Sequence, residues 1–149
     1  MNTITDIFEM QIADFMYKIM AACLAGLFIG LERQYKGKHA GLKTNTIVAI
    51  GASIFIMLSL EFEHRSGVDI TRVLGQVIVG VGFLGAGVIV QRKDKIKGLT
   101  TAATIWCSAA AGSLAAYGLY GELAFATVAI VTINLVFGWI DVRFFNKDD

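Results

Sequence analysis

The chain alternates between long apolar runs and short charged segments. A helix needs about 20 mostly apolar residues to cross a bilayer, within a range of about 17 to 25. Five runs meet that length, at about residues 15–31, 44–62, 73–90, 99–117 and 123–140. They are continuously apolar, whereas membrane barrel strands read as short alternating segments between turns. The pattern therefore predicts one all-α integral membrane domain over 1–149, a bundle of five transmembrane helices. Ahead of the first run, Ile4, Ile7, Phe8, Ile12, Phe15 and Ile19 recur at helical spacing. This predicts an amphipathic helix over 3–18 that lies in the outer interface and runs into the first span. Asp6, Glu9 and Asp14 stand where a signal peptide would carry basic residues, so the run does not read as a cleaved leader. Lys18 is spaced to pair with Asp14 at i, i+4.

The charged segments orient the spans. Arg33, Lys36, Lys38 and Lys43 crowd the first connection, and Arg92, Lys93, Lys95 and Lys97 the third; Arg143 and Lys147 follow the fifth span. Ten of the 13 Lys and Arg residues thus fall on one side, against Lys18, Arg65 and Arg72 on the other. Short basic loops remain in the cytoplasm, which predicts the N-terminus outside and the C-terminus inside. A multi-pass membrane protein is the expectation.

Composition agrees. Hydrophobic residues make up 56% and charged residues 17%, and the mean hydropathy is +0.65. Disorder is excluded, since it needs low hydrophobicity and high net charge. A net charge of +1 gives no reason to expect a nucleic-acid partner; the bilayer is the expected one. Proline is absent, so no helix is kinked by a missing backbone donor. Cys23 and Cys107 sit in apolar runs as small hydrophobes. No Cys or His spacing suggests zinc.

Four blocks then suggest a family. They are Gly30-Leu31-Glu32-Arg33-Gln34, Ala40-Gly41-Leu42-Lys43-Thr44-Asn45, Gly80-Val81-Gly82-Phe83-Leu84-Gly85-Ala86-Gly87 and Gly98-Leu99-Thr100-Thr101-Ala102-Ala103-Thr104-Ile105-Trp106. In this order, over about 21–140, they resemble the membrane domain of the MgtC/SapB family of bacterial inner-membrane proteins. The family's second block usually reads Gly-Leu-Arg-Thr-His, so Lys43 and Asn45 depart from it. Lys keeps the charge without the planar fork of Arg, and Asn does not titrate as His does. Many relatives carry a soluble domain after the last span, whereas nine residues follow Ile140 here. The resemblance implies a link to magnesium limitation.

Candidate chemistry falls into four groups. A functional polar cluster is expected from Glu32 and Arg33 with Lys43, Thr44, Asn45, Thr100 and Thr101, all at one predicted depth; an ionisable residue at membrane depth is a functional hypothesis by default. The plainer alternative is an interfacial anchor, with Glu32 meeting Lys36 at i, i+4. Gly26, Gly30, Gly80, Gly82, Gly85, Gly87 and Gly112 are expected to form helix-packing or oligomer faces, because small residues let backbones approach in lipid. Gly80-x-Gly82-x-x-Gly85 matches the dinucleotide fingerprint only literally, since no strand precedes it. Thr104, Ser108 and Asn134 lie deep in their spans, either as interhelical hydrogen bonds or as a transport pathway. Glu61, Glu63, His64 and Asp69 crowd the external loop, as a solvated loop or a loose cation site.

No nucleophile motif and no carboxylate pair lies in a span, so an enzyme is not expected, and no cofactor or bound metal. The expected function is a membrane regulator linked to magnesium homeostasis, acting through association with itself as a homo-oligomer or with another inner-membrane complex. The alternative is a transporter or channel for Mg2+ or a small solute.

Overall fold

The computed structural model describes residues 2–63, 69–92 and 95–145. Its elements are α1 (Asn2–Tyr35), α2 (Leu42–Leu60), α3 (Thr71–Val88), a hairpin of β1 (Val90–Arg92) and β2 (Lys95–Lys97), α4 (Leu99–Ala116) and α5 (Tyr120–Ile140). A five-residue π-helical turn, Asp141–Phe145, continues α5. Among the described residues, five helices are long and apolar enough to cross a membrane, the first over Met10–Tyr35. In hydrocarbon every backbone group must be bonded within the segment, and a helix does this. Residues 3–18 join the first span without a break: α1 is one helix of 34 residues, and Lys18 pairs with Asp14 at 2.6 Å. At the start of α3, Asp69 Oδ1 accepts the Thr71 N–H at 3.0 Å and its hydroxyl at 2.6 Å. These two bonds hold the Asp69 carboxyl below its ordinary value.

α4 is the hub. Within its span 56% of residues are buried, against 17% for α3 and 11% for α5, so those two helices are peripheral. The core is made of small residues. Ala22, Ala25 and Ile29 of α1 pack on Ala111 and Ala115 of α4, and Leu123 of α5 joins them. Ala52 of α2, Val81 of α3, and Ile105 and Ala109 of α4 make a second cluster. Helix association in lipid gains little from hydrophobicity and depends on close packing. Here it takes backbone against backbone. A Cβ on Gly26 would sit 2.6 Å from Thr46 Cα, and one on Gly30 would sit 2.7 Å from Leu42 Cα. A Cβ on Gly112 would overlap the Ala49 carbonyl.

The third span ends at Val88, two residues before the expected boundary, and the connection after it is structured. Val90 faces Lys97, Gln91 faces Ile96 and Arg92 faces Lys95 in an antiparallel ladder. Three residues per strand are too few for their alternation to stand out in the sequence. Gly98 closes the hairpin with φ +94°, and a Cβ there would overlap the Val88 carbonyl. Only glycine fits both the left-handed backbone and the close approach.

Candidate functional site

The ends of α1, α4 and α5 meet beside the first turn of α2. Glu32 and Arg33 are 6% and 3% exposed, so a pair placed by sequence at a helix end is enclosed by protein. Arg33 donates through Nη2 to Thr101 Oγ1 at 3.1 Å and stands 3.9 Å from Glu32 Oε2 through Nη1. Lys36, one turn on, reaches Glu32 Oε1 at 3.1 Å and donates to the Asn134 carbonyl at 2.7 Å. Gly138 makes room for this crossing, since a Cβ there would overlap Lys36 Nζ. The Lys36 contact with Glu32 is an ion pair without hydrogen-bond geometry. Both carboxylate oxygens and Arg33 Nε are buried and accept or donate no hydrogen bond among the described residues. One carboxylate thus faces two cations, and the cluster carries a net positive charge.

A second polar group lies next to it. Asn45, fully buried, donates to the carbonyls of Ala40 and Gly41 at 2.8 and 2.9 Å, tying down the first turn of α2. Its Oδ1 accepts from Ser108 Oγ at 2.8 Å, which joins α2 to α4. Thr104 Oγ1 donates to the Thr100 carbonyl at 2.8 Å and receives a long 3.5 Å contact from Asn134 Nδ2. The amide at position 45 fits this role: it donates twice and accepts once, in a site with no water-facing surface.

Of the seven cluster residues, Glu32, Arg33, Asn45 and Thr101 are buried together near one end of the bundle. Lys43, Thr44 and Thr100 have exposed side chains, and Thr100 takes part through its carbonyl. Thr104, Ser108 and Asn134 bond to each other, to Asn45 or to backbone. Lys36 is the member that sequence reasoning set aside as an anchor; its i+4 spacing from Glu32 was the available signal, and the α5 carbonyl it reaches was not. The glycines divide. Gly26, Gly30 and Gly112 meet backbone of a neighbouring helix, and Gly85 would place a Cβ 3.5 Å from Ala102 Cβ. Gly80, Gly82 and Gly87 face open space. Gly82 and Gly85 line a shallow groove of about 290 Å³ with Val81, Ala86, Ala102 and Trp106 among its walls. In the α2–α3 connection, Glu61, Glu63 and Asp69 are exposed, and His64 lies outside the described residues.

Comparison with known proteins follows the same stretch of chain. The MgtC family model matches residues 19–143. A Protein MgtC of Brucella abortus is 49% identical over 119 residues, covering 76% of this chain and 49% of that protein. A Protein MgtC of Salmonella typhimurium is 40% identical over 128 residues, covering 86% of this chain and 54% of that protein. An uncharacterised Synechocystis protein is 41% identical over 120 residues. The chain spans about half the length of these relatives, and no solved structure matches it. With five apolar spans and a match that runs from within α1 to the turn after α5, this multi-pass membrane protein belongs to the MgtC family.

Proposed function

We propose that this chain is a small regulator of the bacterial inner membrane, tied to magnesium homeostasis and working by helix–helix association with itself or a larger membrane complex. The observation that carries this reading is the division of the glycines. Three of them are consumed by contacts inside the bundle, while Gly80, Gly82 and Gly87 of α3 leave backbone open along a helix that is only 17% buried. Small residues facing lipid leave unfilled the close approach that a second helix would fill.

Transport is the second reading, and the cluster chemistry speaks against its magnesium form. Mg2+ takes hard oxygen ligands, usually one or two carboxylates with retained waters. Glu32 already faces Arg33 and Lys36, so a divalent cation there must displace an ammonium. Thr104 and Ser108 bond to the α4 backbone and Ser108 to Asn45 of α2, while Asn134 of α5 reaches Thr104 at 3.5 Å, as interhelical links do.

Purified protein in liposomes separates the two readings. The regulator reading expects no saturable Mg2+ flux, and cross-linking in native membranes that captures a second copy or another complex. Gly82→Leu should abolish that capture while the monomer remains folded. Saturable flux that persists in Gly82→Leu would establish the transporter instead.

A further inference from the structure

We infer that the β1–β2 hairpin and the adjacent α1–α2 connection form a docking surface for anionic phospholipid headgroups. The elements share one end of the bundle, as the Arg33–Thr101 bond and the approach of Gly30 to Leu42 require. The hairpin is a fixed platform. Its ladder runs from Val90–Lys97 to Arg92–Lys95, and the turn at Gly98 is pressed against the Val88 carbonyl, which ends α3. The basic residues of β2 are therefore held at a set height beside the ends of two membrane-spanning helices.

The side chains fit that plane. Lys95 and Lys97 share one face of β2 and are exposed, while Ile96 leaves by the other face and is 54% exposed. Val90 and Leu99, also half exposed, flank it. Lysines over an aliphatic edge suit the boundary between phosphate and acyl chain, where the ammonium groups reach the phosphates and the apolar atoms stay below. Lys38 on the neighbouring connection and Lys43 in the first turn of α2 are exposed and extend the same charge. Their acidic neighbour Glu32 is buried and already paired, so it does not offset them. Near this end Asp141 is the exposed acid among the described residues. A surface of this sign, continuous with the bilayer, is complementary to phosphatidylglycerol or cardiolipin and not to a zwitterionic lipid.

A basic residue beside an anionic membrane surface is worth about fivefold in affinity, the equivalent of about 1 kcal/mol. The test is native mass spectrometry of the purified full chain with phosphatidylglycerol or phosphatidylcholine added at equal concentration. The parent should retain phosphatidylglycerol preferentially. Lys38→Gln with Lys97→Gln should lower that preference by roughly ten- to thirtyfold and leave the melting temperature in detergent unchanged, because both side chains are exposed. Glu63→Gln, in the α2–α3 connection, serves as the control and should change nothing. Equal retention of the two lipids by the parent overturns the inference. So does a double variant that holds phosphatidylglycerol as the parent does, or one whose only loss is the capture of an acidic protein. The association surface on α3 is untouched by these substitutions, so this result stands apart from the regulator reading.

Discussion

Replacing Glu32 with alanine removes the single negative charge from a buried group of three ions. Arg33 is 3% exposed and, among the described residues, keeps only the Thr101 hydroxyl as a side-chain hydrogen-bond partner. Lys36 keeps the Asn134 carbonyl, and its side chain is 25% exposed, so it can turn toward water. Breaking a buried pair by deleting one partner costs roughly 3 to 5 kcal/mol, because the other charge stays desolvated. A solvated surface pair is worth only about 0 to 1 kcal/mol. Enclosure of both residues places Glu32→Ala in the first range. At roughly 2–4 °C per kcal/mol for a chain of this size, its melting temperature should fall by roughly 6 to 20 °C. The assay is thermal unfolding in a mild detergent, following monodisperse protein by size-exclusion chromatography. A double-mutant cycle supplies the second half. Glu32→Ala with Arg33→Leu should cost less than the sum of the single variants, since the pair then leaves no orphan charge. A Glu32→Ala protein that melts within about 2 °C of the parent, or strict additivity in the cycle, would refute the buried-cluster reasoning.

Four further outcomes are expected. Gly112→Val must separate α4 from α2 at Ala49 and should cost at least about 1–3 kcal/mol, whereas Gly82→Leu, facing open space, should leave the melting temperature near that of the parent. Asn45→Ala loses two bonds to backbone and strands Ser108 Oγ from its α2 partner, which should cost about 1–3 kcal/mol by thermal unfolding. Single cysteines at Lys38 and Lys97 in a Cys-free background should resist an impermeant thiol reagent applied to intact cells, while one at Glu63 labels; labelling at position 38 would reverse the expected orientation. The Asp69 carboxyl has a folded value lowered by its bonds from Thr71. Its contribution to stability is therefore complete above the unfolded value and lost as pH falls through the folded one. The stability gap between the parent and Asp69→Asn should accordingly shrink in acid, and a gap that widens there would contradict a stabilising role for the Asp69–Thr71 bonds.

The sequence by itself determined the class and the number of spans. Continuous apolar runs without proline leave helices as the way to satisfy the backbone in lipid, and run length sets how many there are. It also placed Glu32, Arg33, Asn45 and Thr101 at one depth, because residues at the ends of consecutive spans share a level. Only the tertiary structure decided which of them meet. Lys43 and Thr44 sit at the same level as Asn45, yet helical rotation turns them outward while Asn45 faces α4. Lys36 became a member through a carbonyl on α5, 98 positions along the chain, reached over Gly138. The glycines show the same limit. Gly26, Gly30, Gly82 and Gly112 look alike as small residues in apolar helices, and no local pattern says which of them a neighbouring backbone will occupy. That assignment depends on which faces α4 presents to α1, α2 and α3 at once, and this follows from packing the whole bundle and not from any one helix.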